Sequence, residues 1–103
     1  MEINDNIFEN TLKENKVVLV DFWAEWCGPC RVLGPTIEGL EVEFKQKAIV
    51  GKLNITDNPQ SSSKYGVRSI PTVIIYKNGE EVERLVGVRD KKLYSDKINY
   101  YLN

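Results

Sequence analysis

The segment Val17-Val18-Leu19-Val20-Asp21-Phe22-Trp23 is the tightest constraint on how this chain folds. Its β-branched and aromatic residues run without polar alternation, the pattern of a strand covered on both faces rather than one facing water. A strand of that kind needs helical layers above and below its sheet, so the fold class is α/β. One residue breaks the run. Asp21 stands where a carboxylate must be desolvated, which is costly unless it is protonated or paired. The competing reading is an Asp at a strand end that reaches water.

The remaining segments supply the layers. Met1 to Asn4 reads as an edge strand, and Asp5 as the cap of a helix carrying Ile7, Phe8 and Leu12 on its apolar face. From Gly28 to Lys47, Val32, Leu33, Ile37, Leu40 and Phe44 recur at helical intervals, with Pro35 predicted to kink the helix. Gly34 and Gly39 lie inside it, each costing about 1 kcal/mol relative to Ala in an exposed interior. Ala48 to Ile55 reads as a second buried strand, and Asp57-Asn58-Pro59 opens a short helix ending near Gly66. Thr72–Tyr76 and Glu81–Val86 flank Lys77-Asn78-Gly79-Glu80, and Asn-Gly marks a hairpin, so these strands are antiparallel. From Asp90 onward, Leu93, Tyr94, Ile98, Tyr101 and Leu102 form one stripe of a terminal helix, with Lys91, Lys92 and Lys97 toward water. The expected architecture is a central mixed sheet of four to five strands flanked by helices on both faces. With no repeat, linker or low-complexity tract, residues 1–103 read as a single domain.

Fourteen Lys plus Arg against fifteen Asp plus Glu leave a net charge of −1, so no broad positive field exists to hold nucleic acid or an anionic membrane. The longest apolar-rich run, Val17 to Ala24, is far below the ~20 residues that span a bilayer. Met1-Glu2-Ile3-Asn4-Asp5-Asn6 is acidic where a signal peptide is basic and then apolar. A cytoplasmic monomer is the expectation. No glycine-rich phosphate loop is present, and no bound cofactor is expected.

The chain has two cysteines and no histidine. Two are too few for the disulfide framework with which small secreted domains compensate for a thin core. Cys27 and Cys30 form a Cys-x-x-Cys pair, which reads as half of a zinc site, a structural staple or a reversible redox couple. Structural zinc takes four ligands from Cys and His, so a zinc site here needs a second molecule. A staple over so short a loop gains little, because its stabilisation grows with the loop it closes. The redox couple is the reading that needs this spacing, since two neighbouring sulfurs join and part with little backbone movement. The turn after Trp23 puts Cys27 at the N-terminus of the next helix, where unpaired amides and the helix dipole favour a thiolate. Pro29 suits the first helical turn, and Cys30 faces the same side as Cys27. Cys27 is the candidate nucleophile and Cys30 the candidate resolving thiol.

The run Val20-Asp21-Phe22-Trp23-Ala24-Glu25-Trp26-Cys27-Gly28-Pro29-Cys30 resembles the active-site stretch of the thioredoxin family. The likeness extends over most of the chain. Pro35 is similar to the family's helix-kinking proline, Lys52-Leu53-Asn54 to its strand with a buried lysine, and Tyr65-Gly66-Val67-Arg68-Ser69-Ile70-Pro71-Thr72 to its cis-proline segment. Asn78-Gly79 and Val86-Gly87 also fall in register. The resemblance implies a thioredoxin fold and a general protein disulfide reductant contributing to cell redox homeostasis. Cys27 would attack a target disulfide and Cys30 would displace the reduced target. The resemblance also implies redox tuning by Gly28 and Pro29, and Asp21 as the proton acceptor for Cys30, tuned by Lys52. Trp26, Ile70, Pro71 and Gly87 would meet the target. The implied partners are disulfide-containing proteins and a thioredoxin reductase linked to NADPH or ferredoxin. Three features depart from the family: a short N-terminus that reduces the first strand to a few residues, the two helix glycines, and Ser69 where many relatives have Gly.

Desolvation predicts a raised pKa for Asp21. Trp23 ends a buried strand and reads as packing, whereas Trp26, beside the nucleophile, reads as an exposed rim. Arg31 reads either as support for thiolate charge or as a solvated helix residue. An oxidant or isomerase of the same fold is disfavoured by Gly-Pro between the cysteines, since His there would stabilise the thiolate form and make a stronger oxidant. A binding module without chemistry is disfavoured by the intact Cys27, Cys30 and Asp21.

Overall fold

The unalternating run Val17–Trp23 lies at the centre of the sheet, as its composition requires. In the computed structural model, which describes residues 1–103, the elements follow as α1 (Phe8–Glu14), β1 (Val17–Trp23), α2 (Gly28–Glu43), β2 (Ile49–Asn54), α3 (Pro59–Lys64), β3 (Thr72–Lys77), β4 (Glu80–Val86) and α4 (Lys91–Leu102). The strand order is β2-β1-β3-β4. β1 runs parallel to β2 and antiparallel to β3, and β3 is antiparallel to β4. The β3–β4 turn places Asn78 at φ 53° and Gly79 at φ 85°. Two positive φ values in a two-residue loop match the twist of the flanking strands, which is why Asn-Gly stands there.

The pleat sends alternate β1 residues to opposite layers. Val18, Val20 and Phe22 join Phe8, Leu12, Leu53, Ile74 and Tyr76 under α1 and α3. Val17 and Leu19 join Leu33, Ile37, Leu40, Val73, Tyr94 and Ile98 under α2 and α4. Alternation therefore directs Asp21 into the α2/α4 layer.

The expected first strand is reduced to one parallel bridge, Glu2 to Lys52, outside a four-stranded sheet. Ile3 N–H donates to the Lys52 carbonyl at 2.9 Å, and Lys52 N–H donates to the Met1 carbonyl at 2.9 Å. Gly51 makes that approach possible. A Cβ there would lie 2.5 Å from Ile3 Cδ1 and 3.0 Å from the Met1 carbonyl oxygen.

Packing corrects three local expectations. Asp5 does not cap α1, whose N-cap is Ile7 with no side-chain bond. Its carboxylate instead accepts the Gln60 and Ser61 amides, at 3.1 and 2.9 Å, and so caps α3. Burial works against its charge, but these bonds hold the Asp5 carboxyl below its ordinary range. Ile7 is exposed rather than part of the apolar face. Val32 is 68% exposed, because the buried stripe of α2 runs through Cys30, Leu33, Gly34, Ile37 and Leu40 and leaves its neighbour outside. Gly39 also finds a role: the Lys91 stem of α4 crosses it, 3.4 Å from where a Cβ would sit. Lys91 and Lys97 reach partners as well as water, Glu43 at 3.6 Å and Glu83 at 3.0 Å.

Candidate active site

β1 delivers its C-terminal end to a tight turn, where Cys27 N–H donates to the Ala24 carbonyl at 3.2 Å. That bond folds the chain back so that Cys27 becomes the N-cap of α2. Cys30 N–H then donates to Cys27 Sγ at 3.2 Å. An amide at a helix start aimed at sulfur is the arrangement that stabilises a thiolate once the pair is reduced. The two cysteines are joined as a disulfide with Cα atoms 5.3 Å apart, inside the usual range for a bridge. Cys27 is 6% exposed and Cys30 1%, so an incoming group meets Cys27 first.

Gly28 and Pro29 lie exposed over the bridge. Pro29 occupies the first turn of α2, where its missing N–H leaves no bond unmade. Trp26 is 70% exposed, while Trp23 is only half-buried at the end of its strand. The Arg31 guanidinium turns back to donate to the Glu25 carbonyl at 2.9 Å rather than to sulfur.

A second loop borders the dithiol. The Ile70–Pro71 peptide bond is cis. The Ile70 carbonyl oxygen lies 3.8 Å from Cys27 Sγ, and the Thr72 hydroxyl donates to the Ser69 carbonyl across the loop. Gly87 N–H donates to the Pro71 carbonyl at 2.8 Å, with Gly87 at φ +90° and open space where a Cβ would be. Trp26, Ile70, Pro71 and Gly87 therefore belong to three loops gathered at one end of the sheet. None of the surface recesses is lined by Cys27, Ile70 or Pro71.

Asp21 is wholly buried, and neither carboxyl oxygen has a hydrogen-bond partner. Burial pushes its pKa up to about 7, against the opposing pull of Lys52. Lys52 stands opposite Asp21 in the parallel register of β1 and β2. It forms no ion pair with Asp21 within 4.0 Å; its ammonium sits 4.4 Å from the centre of the Trp23 ring. The Lys52 ammonium also approaches Gly34, 3.8 Å from the position of a Cβ, which connects this helix glycine to the site. The alternative of an Asp reaching water at a strand end is thus corrected. Sequence reasoning placed Tyr94 in the core stripe but missed its hydroxyl, a buried oxygen also without a partner. The available signal was a phenol in a stripe otherwise suited to aliphatic residues.

The Thioredoxin family model matches residues 1–99. The chain belongs to the thioredoxin family. It is 45% identical over 102 residues to Thioredoxin 2 of Chlorobaculum tepidum, covering 98% of this chain and 94% of that one. Thioredoxin of Rickettsia typhi is 47% identical over 98 residues, 94% of this chain and 93% of that one. Among solved structures, a mutant thioredoxin from Halobacterium salinarum superposes with a TM-score of 0.88 at 36% identity, over 99% of this chain and 88% of that one. With the paired cysteines in place, the chain is a protein disulfide reductant. No group of three or more His, Cys, Asp or Glu is placed to hold a metal, and no helix is long and apolar enough to cross a membrane.

Proposed function

We propose that Cys27 is the attacking thiol and Cys30 the resolving one. The Cys27 thiolate attacks one sulfur of a target disulfide, that disulfide breaks, and the departing sulfur leaves as a thiolate that takes up a proton. Cys30 then gives its proton to the Asp21 carboxylate and attacks Cys27 Sγ, releasing the second target sulfur as a thiolate. Two electrons have passed to the target, and the Cys27–Cys30 disulfide remains. The observation that carries this assignment is Cys27 as the N-cap of α2, its sulfur accepting the Cys30 amide and lying nearer the surface.

Asp21 suits the acceptor role because a carboxyl titrating at about 7 takes and returns a proton near neutrality. Lys52 tunes it, since its positive charge favours the carboxylate. Gly28 and Pro29 set the redox balance by putting no charged or titratable side chain between the sulfurs. Trp26, Ile70, Pro71 and Gly87 receive the target. The Ile70 carbonyl, 3.8 Å from Cys27 Sγ, suits an extended polypeptide laid along the Ile70 backbone.

Residues 1–103 work as one monomeric unit, with no bound cofactor. The disulfide is re-reduced by the dithiol of a thioredoxin reductase supplied by NADPH or ferredoxin, and the setting is cytoplasmic redox homeostasis. The test is trapping. Cys30→Ser is expected to accumulate a Cys27-linked mixed disulfide with a disulfide-bonded substrate such as insulin, whereas Cys27→Ser accumulates none and reduces nothing. Equal trapping through Cys30 in Cys27→Ser would reverse the assignment, and turnover surviving loss of both cysteines would remove it.

A further inference from the structure

Tyr94 is out of keeping with its surroundings. It is wholly buried on α4, in the layer with Leu33, Ile37, Leu40 and Val73, where an aliphatic side chain would fill space without a polar atom to satisfy. Its hydroxyl makes no hydrogen bond of ordinary geometry, although the Arg89 backbone amide is close enough to act on it, and neither oxygen of Asp21 makes one. The remaining buried side-chain oxygen in that condition belongs to Tyr76, in the opposite layer. The unpartnered oxygens of the α2/α4 side are thus those of Asp21 and Tyr94. Asp21 enters this layer from β1 by alternation with Val17 and Leu19, and α4 packs on β1. An aromatic side chain on a helix leans toward the helix N-terminus. For Tyr94 that is the end following Gly87, which bonds Pro71 beside the dithiol.

Electrostatics agree with this placement. Burial pushes the Tyr94 phenol up, the Arg89 backbone amide opposes that rise, and the Asp21 charge adds to it. Buried polar groups are rarely unpaired, and two groups too far apart for a direct bond are commonly joined through a water.

We propose that Tyr94 is a positioning residue for Asp21, its hydroxyl donating a hydrogen bond through one buried water to the Asp21 carboxylate. The functional consequence rests on the reading of Asp21 as proton acceptor for Cys30. Among the many titratable groups on the elements packed around Asp21, those whose charge is coupled to it are Lys52 on β2, opposite it in register, and Tyr94 on α4; the Cys27–Cys30 disulfide at the start of α2 does not titrate while oxidised, and β3 presents Val73 opposite Asp21. Lys52 and the phenol both favour the carboxylate; burial opposes them. Removing the hydroxyl leaves the carboxylate one donor poorer, so it ionises at higher pH.

The experiment follows the Asp21 carboxyl carbon by NMR through a pH titration of the oxidised full chain, in wild type and Tyr94→Phe. The expected result is a midpoint about half a pH unit or more higher in Tyr94→Phe. The pH profile of the resolving step in the reduced protein is expected to move the same way. A midpoint that stays or falls overturns the proposal. Should Tyr94→Phe lose its native fold, the wild-type Tyr94 Cζ resonance carries the test: an inflection at the Asp21 midpoint is expected, and a flat trace overturns it. A shifted midpoint with an unmoved kinetic profile upholds the Asp21–Tyr94 link and removes the acceptor role from Asp21.

Discussion

The two faces of the sheet share the same strands and hold different chemistry. Under α1 and α3, Phe8 packs on Phe22, Tyr65 and Tyr76 with ring centres 6.1, 5.4 and 5.8 Å apart, an aromatic cluster with no buried charge. Under α2 and α4, a similar apolar layer admits Asp21, the Tyr94 hydroxyl and the inner cysteine. A buried carboxylate opposes folding, whereas buried aromatic rings drive it. The difference teaches that one layer supplies stability and the other gives some up to hold a buried carboxyl, the group we propose as proton acceptor.

Substitutions on the two faces sharpen or break that contrast. The largest effect is expected from Phe8→Ala on the aromatic face, a loss of about 3–5 kcal/mol by urea unfolding. Its reduction potential is expected to stay close to wild type where the protein remains folded. A potential that moves with stability would mean the faces are not separable.

Next comes Asp21→Asn, with the opposite sign. Asp21 titrates at about 7 in the folded chain against an ordinary 3.8, so the folded state holds the proton more tightly. Its contribution is favourable below the lower value and is lost as pH rises toward the higher one. Asn carries no such penalty, so the variant is expected to gain about 2–4 kcal/mol at pH 7 and nothing near pH 3. Its resolving step should slow by about tenfold or more. Urea midpoints at pH 7 that are unchanged or lower in Asp21→Asn would contradict the account.

Gly51→Ala returns to the first face on a smaller scale. The new methyl must displace Ile3, and the expected cost is about 1–3 kcal/mol with the dithiol chemistry untouched. The smallest effect belongs to neither layer. Lys92 pairs with Asp96 at 2.8 Å in full view of solvent, and Lys92→Ala is expected to leave the urea midpoint where it was.

The same contrast explains how much was legible in the sequence. The β1 run, the Asn78-Gly79 turn and the Cys27–Cys30 spacing carry local signals, because each is dictated by a short stretch of backbone chemistry. Asp21 was legible as an interruption, and family resemblance supplied its partners. Asp5 was misread because its bonds go to Gln60 and Ser61, far along the chain, and no local pattern records such a cap. Val32 was misread because a β-branched residue beside a true stripe position satisfies a loose count of helical intervals. The Tyr94 hydroxyl escaped because periodicity reports which side chains are buried and says nothing of where a buried oxygen ends.

The central claim is that Cys27 and Cys30 form a reversible couple poised to reduce other proteins, and its most direct measurement is the equilibrium reduction potential at pH 7, read by thiol alkylation. The account predicts a reversible couple well below about −220 mV, a range that thioredoxins themselves define, so the value is a family expectation rather than one drawn from this geometry. A potential near or above about −180 mV would identify an oxidant or isomerase and contradict the account, as would the absence of any reversible couple.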